Sequence, residues 1–177
     1  MKHILPILTI TTLAAAASAQ QTTAAASGLS YTRAGLSYNT DAGLLADGSS
    51  DNGYSLSVEA LIGSSNIWIA GSADLNSAGA DSVSIGYVFK NVAAGIDATV
   101  AVSSDDNYGI ILRRSLNEVV AGLEARLVYA RQEGSVSADG FTYELAYNIN
   151  KQFQIAVSVD DVSGAANETS VTVRYNF

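Results

Sequence analysis

Eight charged side chains are the residues of this chain whose types and spacing could act together chemically. They are four arginines and four carboxylates: Arg33, Glu59, Asp97, Arg113, Glu124, Arg126, Glu144 and Arg174. Each lies in a segment where apolar and polar residues alternate, and each takes the polar parity, so all of them should face the same side of a sheet. The balance of four against four predicts paired charges, whereas an ion-selective ring would carry one sign.

Residue types that support catalysis are scarce. The chain has no cysteine, and its one histidine, His3, lies in a segment that we expect to be removed. Two adjacent carboxylate pairs, Asp105-Asp106 and Asp160-Asp161, could in principle serve as acid and base, but neighbouring side chains usually diverge, so solvated acidic loops explain them better. The sequence therefore predicts no enzyme, no catalytic residue, no cofactor and no metal centre.

The first nineteen residues have the pattern of an export signal. Lys2 and His3 precede the apolar run from Ile4 to Leu13, and the run leads to Ala17-Ser18-Ala19, a small-residue cleavage site. We expect residues 1–19 to be a signal peptide, residues 20–27 a flexible lead-in, and residues 28–177 a single domain. Export without a later membrane helix leaves the periplasm, the exterior or the outer membrane as destinations.

Acidic residues dominate the charge of the chain. The net charge of −8 argues against nucleic-acid binding, which needs a basic footprint. Many carboxylates fall in or beside the longer connections between the alternating segments: Asp41, Asp47, Asp51, Asp74, Asp81, Asp105, Asp106, Glu133, Asp139, Asp160, Asp161 and Glu168. The stretch from Asp47 to Gly53 lacks the spaced ligands of an EF-hand, so it predicts at most weak Ca²⁺ or Mg²⁺ binding between the loops and anionic lipid.

The last nine residues, from Thr169 to Phe177, show the alternation most clearly. Val171, Val173, Tyr175 and Phe177 take one parity, and polar residues take the other. A strand with lipid on one face and a polar interior on the other needs this pattern, whereas a soluble protein rarely ends on a bare terminal Phe.

The same pattern recurs along the chain and predicts ten strands. The fold class that follows is all-β, a ten-stranded antiparallel up-and-down transmembrane β-barrel with eight strands as the fallback count. Longer and shorter connections are expected to alternate, which a two-sheet sandwich, the main rival, would not explain. We expect turns at Lys90-Asn91 and near Asn117-Glu118, and a bulge near Thr32 or Gly35.

Aromatic residues are expected to mark both ends of the strands as two interfacial girdles. The inner girdle is predicted to contain Tyr31 and Trp68 together with Phe89, Tyr147, Phe153, Tyr175 and Phe177. The parity of Trp68 is left open, while Ile67 and Ile69 are expected to face outward.

The C-terminal pattern resembles the signature by which bacterial outer-membrane proteins are recognised for insertion, and residues 28–177 resemble small outer-membrane β-barrels of the opacity-like and porin-like superfamily. The resemblance implies an outer-membrane location and, as partners, membrane lipid, lipopolysaccharide and the barrel-assembly machinery. It implies a structural or surface-interaction role through acidic extracellular loops, with a small passive porin for hydrophilic solutes as the alternative. Paired charges would tend to plug so narrow a barrel, which favours a closed lumen.

Overall fold

The computed structural model describes residues 28–41, 52–75, 81–104, 107–132, 138–163 and 167–177. These residues form ten strands: β1 (Arg33–Asp41), β2 (Gly53–Leu61), β3 (Ile67–Asp74), β4 (Ser82–Ala93), β5 (Ile96–Ser103), β6 (Asn107–Ser115), β7 (Leu123–Gln132), β8 (Ala138–Asn148), β9 (Phe153–Val162) and β10 (Glu168–Asn176). No described residue belongs to a helix that is long and apolar enough to cross a membrane. The predicted signal peptide and lead-in lie outside the described residues.

The ten strands close into one barrel. Each strand pairs antiparallel with the next, and β10 pairs with β1 from Arg33 opposite Asn176 to Asp41 opposite Glu168. Both ends of the barrel domain therefore meet at one rim, which we call the lower rim; it also carries connections 62–66, 94–95, 116–122 and 149–152. The upper rim carries the other connections. The predicted ten-stranded antiparallel barrel is confirmed, and the two-sheet sandwich is excluded.

Strand β9 shows how the sequence pattern becomes the wall of the barrel. Phe153, Ile155 and Val157 are exposed on its outer face, whereas Gln154 and Ala156 point inward and are buried. The β-branched and aromatic residues that favour a pleated strand are thus placed on the outside, and the polar parity is turned into the lumen. This distribution is the reverse of a soluble protein, which buries its large apolar side chains.

Aromatic pairs gather near both rims on the outer face. Tyr38 packs on Tyr54 near the upper rim, with 5.1 Å between ring centroids. Near the lower rim Phe153, Tyr175 and Phe177 form a chain of edge-to-face contacts at 5.3 and 5.1 Å. Such bands are typical of a barrel whose two ends lie at membrane interfaces.

Two predicted turns are displaced. β4 continues to Ala93, and the turn falls at Ala94 and Gly95, whose positive φ values of 49° and 77° suit a two-residue hairpin. The pairing of β4 with β5 shifts between Phe89 and Ala93, because the Asn91 N–H donates to Asp97 Oδ1 at 2.8 Å instead of to the ladder. The predicted turn at Lys90-Asn91 is therefore a bulge.

The connection between β6 and β7 is longer than predicted. Gly122 N–H donates to Asn117 Oδ1 at 2.7 Å, and Gly122 adopts a φ of 85°, so the chain turns through residues 116–122 before β7 begins at Leu123. The connection 104–106 on the upper rim is shorter than this one. Strict alternation of long and short connections was therefore wrong, although the strand count was right. β1 pairs on both sides without a shift from Arg33 onward, so a bulge near Gly35 is wrong, and Thr32, the other predicted position, precedes the strand.

Candidate functional site

The predicted charged residues meet inside the lower half of the barrel. Arg33, Arg113, Glu124, Glu144 and Arg174 are all buried, although no two of them share a strand. Glu59 and Arg126 complete this set of side chains from β2 and β7, and we call the seven residues the lumen network. Their strands surround the barrel, so their side chains converge on its axis from several directions.

Arg113 and Glu124 form the centre of the lumen network. Arg113 Nε donates to Glu124 Oε1 at 2.8 Å, and Arg113 Nη1 lies 3.6 Å from Glu59 Oε1. Arg33 pairs with Glu59 and places Nη1 3.6 Å from Glu124 Oε1. The contact between Arg113 and Glu59 joins β6 to β2, and the contact between Arg33 and Glu124 joins β1 to β7; the strands of each pair are four apart around the ten-stranded barrel, so both contacts span the lumen.

A second group of charges is held by Glu144. Arg174 Nη1 donates to Glu144 Oε1 at 2.7 Å, and Arg174 Nη2 donates to Oε2, so the carboxylate is held by a bidentate pair. Arg126 Nη1 lies 3.7 Å from Glu144 Oε2, beyond hydrogen-bond distance. Arg126 Nε is buried and has no hydrogen-bond partner among the described residues.

Gln154 joins the two groups, and the sequence analysis missed it. Its Oε1 accepts hydrogen bonds from Arg33 and Arg174, each at 3.1 Å, while its Nε2 donates to Glu124 Oε2 at 3.2 Å. The side chain is only 1% exposed. The alternation of β9 places Gln154 on the inward face, directly opposite Arg174, so its position could be predicted from the sequence. It was missed because only residues with a formal charge were considered.

The residues that precede β1 fold back into the lumen and contact this network. Ser30 O accepts a hydrogen bond from Arg113 Nη2 at 2.8 Å, and the Arg113 guanidinium lies 4.5 Å above the Tyr31 ring. The Tyr31 hydroxyl donates to Asp97 Oδ2 at 2.6 Å. Burial raises the pKa of the Tyr31 phenol above its ordinary value, so the phenol keeps the proton that it donates. Asp97, a predicted member of the charge set, is thus held by Tyr31 and Asn91.

An apolar cluster fills the lumen beside the lumen network. Leu29, Tyr31, Trp68, Val88 and Ile111 pack together as one buried cluster contributed by the N-terminal segment, β3, β4 and β6. The prediction that Tyr31 and Trp68 belong to the inner aromatic girdle is therefore wrong. Both turn inward because a ten-stranded barrel is wider than its own small side chains can fill, so large ones are needed at its centre.

Above the lumen network, towards the upper rim, lies a cavity of about 200 Å³. Its wall is mostly small and polar: Gly35, Ser57, Gly71, Ser72, Ser82 and Ser84. Arg33, Arg126 and Arg174 contribute guanidinium groups to it, and Glu59 contributes a carboxylate. The lumen therefore contains both a polar cavity and a part that is filled by apolar side chains.

The described carboxylates of the lumen network are held by arginines rather than by a hydroxyl group that they could activate. The described residues include no group of three or more Asp, Glu, His or Cys side chains suited to a metal ion. The stretch 47–51, part of the predicted weak divalent-cation loop, lies outside the described residues.

The remaining predicted features lie on the outside of the barrel and at its upper rim. Val171, Val173, Tyr175 and Phe177 are exposed along the outer face of β10 and just beyond it. Several acidic residues lie on or beside the strand ends at the upper rim: Asp41, Asp74, Asp81, Asp139, Asp160, Asp161 and Glu168. Asp47, Asp51, Asp105, Asp106 and Glu133 lie outside the described residues.

Comparison with known proteins gives only distant likenesses. No protein-family model matches this chain, and no curated protein matches it. Among solved structures, the KdgM porin is 13% identical with a TM-score of 0.49, covering 81% of this chain and 99% of that one. The outer membrane protein Omp33 of Acinetobacter baumannii is 9% identical with a TM-score of 0.40, covering 84% and 98%. Neisserial surface protein A is 14% identical with a TM-score of 0.34, covering 83% and 96%. At these values the likenesses carry no functional assignment.

Proposed function

We propose that this chain is an integral outer-membrane β-barrel whose lumen is closed by its own side chains, and that it serves a structural or surface-interaction role. The observation that carries the proposal is the inverted distribution of side chains: charges are paired inside, and a continuous apolar belt is exposed outside. In water such a belt would be an aggregation hazard, but in a bilayer it is the surface that hydrocarbon requires.

The closed lumen supports a role other than transport. The lumen network crosses the barrel axis, and the apolar cluster that contains Tyr31 and Trp68 fills the lumen beside it. A hydrated ion would have to break several charge-assisted hydrogen bonds to pass, and each of these is stronger in a low-dielectric interior than in water. In this proposal the acidic upper rim is the surface that contacts other molecules, and lipopolysaccharide is its nearest neighbour in the outer leaflet.

A small passive porin is the second candidate, and the cavity above the lumen network is the observation that favours it. The cavity holds water-sized space and is lined by serine hydroxyls, as an aqueous path would be. It ends at the network, however, so a porin would need the network and the apolar cluster to move aside together.

Membrane embedding is tested by placing one arginine at two exposed positions. Val157 lies in the middle of β9 and is 49% exposed, whereas Val119 lies in the lower-rim turn and is 70% exposed. We expect Val157→Arg to destabilise the barrel folded in lipid by about 2–4 kcal/mol, because the charge sits near the bilayer midplane, and Val119→Arg by about 1 kcal/mol or less. Urea titration in lipid vesicles, read by the heat-modifiable shift on a gel, measures both.

The two variants distinguish a bilayer from water as the surrounding solvent. A soluble barrel would accept arginine at either surface position with little change, because both side chains are already exposed. Equal stability of Val157→Arg and Val119→Arg in lipid would therefore contradict the proposal.

A further inference from the structure

The cavity above the lumen network has more positive than negative charge on its wall. Three guanidinium groups line it, those of Arg33, Arg126 and Arg174, against the single carboxylate of Glu59. Arg174 already holds both oxygens of Glu144, and Arg33 already pairs with Glu59. Of these three, Arg126 is the guanidinium for which the described residues show no hydrogen bond to a carboxylate.

Arg126 also has an unused donor. Its Nε is buried without a hydrogen-bond partner among the described residues, and its nearest carboxylate oxygen, Glu144 Oε2, is 3.7 Å from Nη1. A guanidinium that is withdrawn from bulk water without a hydrogen-bonded carboxylate costs free energy, and an anion beside it would offset part of that cost. Nε itself is shielded, so an anion in the cavity would approach the exposed part of the Arg126 side chain, which is 19% exposed as a whole.

The opposite wall supplies hydroxyl groups. Ser57, Ser72, Ser82 and Ser84 lie on β2, β3 and β4, on the far side of the lumen from Arg126 on β7. Ser72 and Ser82 are 2.8 Å apart and share one hydrogen bond, which leaves a hydroxyl proton available to a third group. A water molecule needs about 10–15 Å³ of such space, so about 200 Å³ holds a small anion together with several waters.

We propose that this cavity is a binding site for a small monovalent anion, a halide or a short carboxylate, anchored by the Arg126 guanidinium and solvated by the serine wall. Halides and carboxylates share the chemistry that a free guanidinium donor recognises. The proposed site is formed by the barrel interior alone. The proposal is therefore independent of whether the protein conducts ions and of its role at the cell surface.

Trp68 provides the readout. It is the only tryptophan of the chain, it lines the cavity, and it is 5% exposed. Iodide quenches indole fluorescence on contact, so iodide that binds in the cavity should quench Trp68 with a saturable dependence on concentration. The titration uses the full barrel folded in detergent, with total Na⁺ held constant by sodium sulfate, and neutral acrylamide as the comparison quencher.

We expect saturable quenching in the wild type and about tenfold weaker iodide binding in Arg126→Gln, since a hydrogen bond to a charged group is lost. Arg126→Lys, which keeps the charge, should retain part of the affinity. Arg114→Gln is the matched control, because Arg114 is exposed near the lower rim and paired with Glu118, and it should behave as the wild type. The heat-modifiable shift shows that each variant is folded.

Competition identifies the ligand class. Recovery of fluorescence by chloride alone assigns the site to halides, and recovery by acetate extends it to carboxylates. Linear quenching in the wild type, equal binding by Arg126→Gln and the wild type, or no competition by either anion would overturn the proposal.

Discussion

Replacing Glu124 with Gln is expected to lower the free energy of unfolding by about 3–5 kcal/mol, because it leaves buried guanidinium charge without its carboxylate. Glu124 is 3% exposed, accepts hydrogen bonds from Arg113 and Gln154, and lies 3.6 Å from Arg33 Nη1. Urea titration of the barrel in lipid vesicles, with the heat-modifiable gel shift as the readout, measures the loss.

Glu118→Gln is the matched control for Glu124→Gln. Glu118 also pairs with an arginine, Arg114, at 2.6 Å, but both side chains are about half exposed, so its loss should cost about 1 kcal/mol or less. The double variant Arg113→Met/Glu124→Leu should lose less than Glu124→Gln alone, since no unpaired charge from this pair remains. Equal effects of Glu124→Gln and Glu118→Gln would show that the lumen network is solvated.

Removing the bridge across the lumen is expected to convert the closed barrel into a conducting one. The variant Tyr31→Ala/Arg113→Ala/Glu124→Ala removes the Tyr31 ring from the apolar cluster, the Arg113 guanidinium that stacks on it and the Glu124 carboxylate that holds that guanidinium. It removes one positive and one negative charge, so the net charge is unchanged. The cavity above would then continue to the lower rim, and planar-bilayer recordings should show reproducible conductance steps.

The control for this triple variant replaces the same three residue types at positions outside the lumen. Arg114→Ala/Glu118→Ala/Tyr147→Ala removes the same three kinds of side chain from positions that face the outside or the lower rim. It should fold and remain silent. Silence of both variants, with both folded, would mean that other side chains of the lumen suffice to seal it.

The sequence predicted the wall of the barrel well because one physical rule determines it. Lipid on one face and a lumen on the other force each strand to alternate, so the inward parity of Glu124 and the outward parity of Val157 could be read from their neighbours alone. The strand count and the closing pair of β1 with β10 follow from repeating that rule along the chain.

The contents of the lumen were harder to predict, because contacts across the barrel join residues that are distant in the sequence. Tyr31 and Asp97 are 66 residues apart, and Arg33 and Gln154 are 121 apart. Parity cannot show that the segment before β1 turns back into the barrel, since that segment is not a strand. The aromatic girdle rule then misplaced Tyr31 and Trp68, which fill the centre instead.

The predicted turn positions were wrong because of local hydrogen bonds. Asn91 and Asn117 both look like turn residues, and each is indeed engaged locally, one in a bulge held by Asp97 and one in a cap on Gly122. Side-chain hydrogen bonds to nearby backbone groups decide which of several Asn or Gly residues reverses the chain, and residue types alone do not specify them.

The most direct measurement of the central claim is single-channel recording of the wild-type barrel, refolded and inserted into planar bilayers, with insertion verified by protection of the barrel from added protease. A lumen sealed by the network around Arg113 and Glu124 predicts a flat current trace at every applied voltage. Reproducible conductance steps from the inserted wild-type protein would contradict it.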